Sequence, residues 1–269
     1  MNISGVTIIL PTLNEEENLT IIIPELVDVF TSLNFQNYEI LVVDDSSEDG
    51  TNNLINNLNK ENKRIHLYER KEERSLPISI KDGVINAEYE YVMWLDADGS
   101  MGSEAVKKLI INQNNNPDSV IIGSRFVEGG GYKGIEVTGQ TNFFKAMYNI
   151  SKSNDSVLAT ILSKIFNNLL YFLLPSSVKD ITSGFIIGKK KYINENVFNI
   201  SSYGDYFVYL VNDLYKNNID ILEVGYLCEM RIYGDSKTGS SISQLIKRGF
   251  PYITAAVKCR IGKYENLWR

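Results

Sequence analysis

Short apolar runs rich in β-branched residues alternate, along the first half of the chain, with longer segments whose apolar residues recur every three or four positions. Val6 to Leu10 is the first such run and stops at Pro11. The polar Thr12 to Asn18 stretch then leads into a helical pattern through about Leu33, in which Pro24 is tolerated if it lies in the first turn. Glu39 to Val43 reads as a buried strand ending at Asp44, Asp49-Gly50 as a turn, and Thr51 to Asn59 as the next helix. Ile65 to Tyr68 is a third strand, followed by a helix over about Pro77 to Asn86. Tyr91 to Leu95 is a fourth, and Ser103 is placed to cap a Glu104 to Asn114 helix ahead of a fifth strand, Val120 to Ile122. Strands and helices that alternate across short links predict an α/β fold, a Rossmann-like, mostly parallel sheet covered by helices on both faces. There is no GxGxxG after the first strand, which argues against a nicotinamide or flavin dehydrogenase.

The second half is less regular. Four glycines between Gly129 and Gly134 predict a segment that is mobile or closely approached by ligand, and Asn142 to Ser156 is polar and interrupted. Val157 to Leu174 sets aliphatic and aromatic residues around Lys164, Asn167 and Asn168, a pattern that suits a bilayer interface, the sheet, or a partner subunit equally. From Lys237 onward the chain carries seven Lys/Arg against the single acid Glu265, although the whole chain has a formal net charge of -6. We therefore divide it into a main domain, 1–236, and a basic helical tail, 237–269, that either faces anionic lipid or forms a solvated surface. Cys228 and Cys259 are isolated and read as free thiols of a reducing compartment. The amino terminus has no signal-peptide pattern and no apolar run reaches spanning length, so a cytoplasmic protein, at most peripheral on a membrane, is expected. The basic tail comes without an aromatic platform or reader motif, so nucleic acid is not an expected partner.

Ligands of parallel α/β sheets gather beyond the carboxyl ends of the strands, and two acidic clusters fall there. Asp96 and Asp98 follow the fourth strand at a spacing of two, so an extended backbone turns both carboxylates to one side, where they can share Mg2+ or Mn2+. The competing assignment is an Asx turn at Asp98-Gly99. Asp44 and Asp45 follow the second strand and either accept from a nucleotide's base or ribose or cap the loop behind them. Arg70, Lys71 and Arg74 form a basic group suited to a diphosphate or to ordinary surface pairing, and lone His66, between Ile65 and Leu67, reads as structural.

The segments LPTLNEEENL (10–19), VVDDSSEDGT (42–51), LDAD (95–98), GSRFVEGG (123–130), DITSGF (180–185) and RIYGDSK (231–237), in this order, resemble the motifs of family 2 glycosyltransferases. The branch they are most similar to contains dolichyl-phosphate mannosyltransferases and polyprenyl-phosphate glycosyltransferases. The resemblance runs from about Val6 to Lys237 and implies a GT-A fold, a nucleoside-diphosphate sugar donor and inversion at the anomeric carbon. It implies that Pro11, Thr12, Glu15 and Asp45, with Asp44 close by, line the nucleotide pocket, and that Asp96 and Asp98 hold metal and diphosphate. By the same resemblance Ser124, Arg125, Arg231 and Lys237 lie near donor or acceptor phosphate; the ordinary alternative for the two arginines is a pair of salt bridges. Departures are Ser100 where the branch has glutamine, a longer stretch around Tyr132 to Asp155 in place of an expected arginine motif with Lys164 as its substitute, and Leu210 where a glutamate is usual.

A lipid phosphate is already a nucleophile at neutral pH, whereas a glycan hydroxyl needs a base, and Asp205 is the candidate unless it is simply a helix N-terminal acid. The implied reaction is transfer of a hexose, from GDP-mannose or a UDP-sugar, to dolichyl or polyprenyl phosphate at the cytoplasmic face of a membrane, alone or with a membrane-protein partner or as a homo-oligomer. Transfer to a glycan hydroxyl is the alternative, and an inactive nucleotide-sugar-binding module a third.

Overall fold

A computed structural model describes residues 2–132, 157–229, 231–233 and 242–263. The first half follows the sequence pattern closely: β1 (Val6–Thr12), α1 (Glu16–Ser32), β2 (Tyr38–Asp44), α2 (Thr51–Glu61), β3 (Ile65–Glu69), α3 (Leu76–Asn86), β4 (Tyr91–Trp94), α4 (Ser103–Asn115) and β5 (Val120–Ser124). Two local expectations change. Pro24 lies inside α1, where its exposed position leaves the unbonded carbonyl of Thr20 to water, and α4 is preceded by Gly102 with no side-chain cap, so Ser103 opens the helix instead of capping it.

Next come β6 (Gly131–Tyr132), α5 (Val157–Leu173), β7 (Ile186–Lys189), the short α6 (Asn196–Asn199), α7 (Tyr206–Lys216), β8 (Ile221–Gly225), β9 (Leu227–Cys228) and α8 (Ile242–Arg260). The main sheet has the order β3-β2-β1-β4-β7-β5-β8. All its pairings are parallel except those of β7, which runs antiparallel between β4 and β5. Two hydrophobic clusters cover its faces. One joins alternate residues of β1, β2 and β4 (Ile8, Ile40, Met93) to α1 and α4; the other joins Ile9, Val43 and Trp94 to α3, α7 and α8. The period-two pattern of the strands thus divides between two helix layers, as a sheet covered on both faces requires.

The expected boundary at 236/237 does not divide the packing. Ala255, Ala256 and Cys259 of α8 are buried in the second cluster, beside Tyr209 and Leu210 of α7. Small residues let the helix axes approach there, so the described part of the tail completes the core. Among the described residues no helix is long and apolar enough to cross a membrane. The glycine-rich segment is approached by its own backbone: a side chain at Gly130 would stand 2.4 Å from the Ser124 carbonyl oxygen.

Candidate active site

Parallel strands end together, and here the carboxyl ends of β1, β2, β4, β5 and β8 share one edge with the amino end of antiparallel β7. That edge gathers Pro11 to Glu15, Asp44-Asp45, Asp96 to Asp98, Ser124-Arg125, Asp180 to Phe185 and, after β8, Tyr226 to Glu229 and Arg231.

Asp96 and Asp98 do come together, and Asp98 makes the Asx turn considered for it together with an ion pair. Its Oδ1 accepts the Ser100 N–H at 2.9 Å, closing the Asx turn, while its Oδ2 meets Arg231 Nη2 at 2.8 Å. Asp96 has no hydrogen-bond partner among the described residues and is open to solvent at the cleft mouth, yet protein surrounds its other sides. That crowding, with the Asp98 charge beside it, pushes the Asp96 carboxyl up to about 7 against the pull of Arg231 and Arg125. A carboxylate with free oxygens next to a second one is a hard donor set that fits Mg2+ or Mn2+, and the Arg231 guanidinium stands where positive charge is needed.

The segment that carries Arg231 is stitched to the site. Glu229 N–H donates to the Ser100 carbonyl at 2.9 Å and Ile232 N–H to that of Asp98 at 3.2 Å. Asn18 accepts the Tyr233 N–H at 2.9 Å and donates to Glu15, whose charge also reaches Asp96. Gly99 is needed beneath this segment: its φ is +82°, and a Cβ would lie 2.6 Å from Ile232 Cδ1.

Arg125 is held from one side. Nε and Nη2 bind the fully buried Asp180 carboxylate at 2.8 and 2.7 Å, Nη2 also reaches Thr182 Oγ1 at 2.9 Å, and its backbone N–H donates to the same carboxylate at 2.8 Å. Burial alone would lower its pKa, but the paired Asp180 more than reverses that, so the guanidinium is firmly cationic. Nη1 has no partner among the described residues, which leaves one edge of the fork for a ligand. The salt-bridge alternative is therefore real for both arginines, and it places them here. Ser124 differs from expectation: it is fully buried, and its hydroxyl accepts the Phe126 N–H at 3.3 Å, shaping the turn that delivers Arg125.

On the nucleotide side, Thr12 is buried with its hydroxyl donating to the Leu10 carbonyl at 2.9 Å, and Pro11 is half-buried at the strand end. Asp44 Oδ2 accepts the Ser47 N–H at 3.0 Å, while its buried Oδ1 has no partner. Asp45 has none to spare: one oxygen takes the Arg70 guanidinium and the other the Ser75 N–H at 2.7 Å, a bracket that fixes the loop from β3 to α3. Arg70 in turn pairs with Asp82 at 2.8 Å, and Arg74 with Glu48 at 2.7 Å, so neither serves as a free diphosphate anchor. A polar groove of about 620 Å³, lined by Tyr68, Arg70, Arg74 and Ser75, opens beside this bracket and away from the Asp96 turn.

Asp205 is buried at the start of α7, where its Oδ1 accepts the N–H groups of Ser202 (3.0 Å) and Tyr203 (2.7 Å) and the Ser202 hydroxyl (3.2 Å). It organises a turn. Lys237 lies outside the described residues, as does most of the 132–155 stretch. Residues to which the sequence assigned no individual role complete the cleft. Asp180 orients Arg125; Tyr206, whose hydroxyl accepts from Trp94 Nε1 at 3.1 Å, and Tyr252 of α8 both lie within the field of Asp96. Burial raises the pKa of both phenols, so they stay neutral donors.

The family model described as "Glycosyl transferase family 2" matches residues 7–197. The "Dolichol-phosphate mannosyltransferase" of Pyrococcus furiosus is 28% identical over 243 residues, which are 90% of this chain and 62% of that protein's length. The "Polyprenol monophosphomannose synthase" of Mycolicibacterium smegmatis is 28% identical over 244 residues, 88% of this chain and 82% of that protein. Among solved structures, glucosyl-3-phosphoglycerate synthase from Mycobacterium tuberculosis, in complex with Mn2+, UDP and phosphoglyceric acid, superposes with a TM-score of 0.60 at 14% identity. That match covers 95% of this chain and 78% of the other, and it shows a common fold.

Proposed function

The chain belongs to glycosyl transferase family 2, with the α/β architecture of its GT-A enzymes, and from that premise we propose that it transfers a hexose from a nucleoside-diphosphate sugar to a polyprenyl or dolichyl phosphate. GDP-mannose is the first donor to consider and a UDP-sugar the second, in keeping with the names of the two relatives and the UDP in the solved structure. The observation that carries the proposal is the convergence of Asp96, Asp98, Arg125 and Arg231 on one sheet edge, two carboxylates for a cation and two guanidinium groups for phosphate.

Asp96 and Asp98 would hold Mg2+ or Mn2+, which when bound would supply positive charge to a departing diphosphate. The free edge of Arg125 takes an oxygen of the acceptor phosphate, and Arg231, which pairs with Asp98, would be the second guanidinium for phosphate. Lys237 is assigned to the same set. A phosphate oxygen forms the new bond to the anomeric carbon on the face opposite the leaving diphosphate, whose bond breaks, so the centre inverts without a general base. Asp44, through its unpartnered oxygen, is the acid on β2 that serves the nucleoside, with Pro11, Thr12 and Glu15 around it, while Asp45 fixes the loop that walls the pocket. The local bonds of Asp205 disfavour the glycan-hydroxyl alternative that needs it as a base.

Membrane contact fits an exposed apolar row on α5, Ile165, Leu169 and Phe172, and another formed by Phe250 and Val257 of α8 with Ile261 just past its end. These exposed rows support the reading of a peripheral protein acting at the cytoplasmic face of a membrane. A panel of GDP-mannose, UDP-glucose and UDP-N-acetylglucosamine against polyprenyl phosphate, free monosaccharide and oligosaccharide, with Mn2+ or excess chelator, tests this. Transfer to the lipid phosphate that chelator abolishes and Asp98→Ala reduces about 100-fold or more is expected. Activity confined to the neutral glycans refutes the acceptor, and unchanged turnover of Asp98→Ala with saturating donor refutes the metal role.

A further inference from the structure

A second cluster with ligand chemistry lies at the opposite edge of the sheet. Glu39, His66 and Glu88 each offer an atom, and these atoms lie within 4.8 Å of one another. Glu39 is the second residue of β2 and His66 the second of β3; Leu41 pairs with His66 in register, and Glu39, two residues before it, points to the same face. Glu88 sits in the turn before β4. Glu39 and Asp44 stand five residues apart on one strand, roughly 16 Å at about 3.3 Å per residue, so the cluster is separate from the cleft.

Glu39 is held in place at the base of this cluster. It is only 5% exposed, and its Oε2 is fixed by the Thr7 hydroxyl at 2.7 Å and the Glu88 N–H at 2.9 Å. Oε1 is left without a partner among the described residues. No lysine or arginine among them pairs with Glu39 or Glu88, and the His66 imidazole makes no hydrogen bond there. Arg64, near enough to act on Tyr89 beside Glu88, spends its guanidinium on the Gln36 carbonyl at 3.1 Å and on the Tyr38 ring. Glu39 is buried, His66 half-buried and Glu88 exposed, so the cluster opens to an incoming ion, and two carboxylate oxygens with one imidazole nitrogen form a donor set for a borderline divalent ion. We propose that Glu39, His66 and Glu88 bind one divalent transition-metal ion, Zn2+ by this chemistry, with water as fourth ligand. The ion clamps β2, β3 and the turn into β4 together and takes no part in sugar transfer.

His66 is the only histidine of the chain, so a single imidazole signal reports on the site. Metal-stripped protein, as wild type and as Asp96→Asn/Asp98→Asn to silence the cleft, is titrated with Zn2+ and followed by imidazole NMR, bound-metal stoichiometry and thermal unfolding. One equivalent is expected to shift the imidazole resonances in both proteins, and to raise Tm by about 5 °C at a hundredfold excess over Kd. His66→Gln, half-buried and tolerable to the fold, and Glu88→Gln lose that equivalent and the Tm rise. An imidazole signal that Zn2+ does not move, or a stoichiometry unchanged by His66→Gln, overturns the proposal.

Discussion

Asp180→Asn isolates the ion pair that presents Arg125. Asp180 is fully buried and receives four donors from Arg125 and Thr182, while the guanidinium is 15% exposed on its side chain. Asparagine keeps the shape but turns an NH2 toward one of those donors and removes the countercharge. Breaking such a pair from one side costs about 3–5 kcal/mol, and the remaining exposure of Arg125 favours the lower end. At about 2–4 °C per kcal/mol for a chain of this size, Tm falls by about 6–12 °C. The double variant Arg125→Met/Asp180→Leu removes both charges and should recover more than half of that loss, short of full recovery because the Arg125-position N–H loses its acceptor at about 1 kcal/mol. Sugar transfer should stay at least about 100-fold down in the double variant, since the phosphate-facing guanidinium is gone. Thermal unfolding of the three proteins together with initial transfer rates reads both effects. A single variant within about 2 °C of wild type refutes the cost assigned to breaking the pair, and a double variant that transfers normally refutes the phosphate role of Arg125.

Because the Asp96 carboxyl sits at about 7, a cation must displace its proton below that pH; Mn2+ affinity in titration calorimetry should fall about tenfold per pH unit from 7 to 5.5 and level off above 7.5, and a flat profile counts against the site. The same raised value makes the cation-free fold less stable as pH climbs from about 4 to about 7, a loss that added Mn2+ reverses at pH 7.5. Gly99→Ala should cost about 1–2 kcal/mol and raise the donor KM by displacing Ile232, whereas Gly129→Ala, also at positive φ but with open space around it, should lower Tm alone. Ala256→Asp, which buries an unpaired charge against α7, should cost about 3 kcal/mol or more by denaturant titration; wild-type stability would mark the tail as a separate appendage.

What the sequence disclosed was local. Period-two apolar runs and the residues that end them located β1 to β5 and their helices, and the acids just past β2 and β4 marked the ligand edge before any coordinates. Partnerships between distant residues left no such trace. Asp45 resembles a ligand acid until Arg70 and Ser75 are seen to use both its oxygens, and Arg125 resembles a free phosphate binder until Asp180 takes one side of it. Ser124 faces inward because β5 is covered on both faces, a property of its neighbours in space. The charge count of the tail suggested a surface helix, but Ala255, Ala256 and Cys259, three small residues, decide its docking.

The reversed strand β7 also sets an order of assembly. Emerging from a ribosome, β3, β2, β1 and β4 can pair as soon as they exist, but the outer edge of β4 waits for Ile186, about ninety residues later. At about 5–20 residues per second that interval lasts several seconds or more, during which β4 and the newly made β5 both show unpaired backbone. Substitutions that weaken β7 should therefore lower the yield of soluble chain in cells more than they lower the melting point of the molecules that mature.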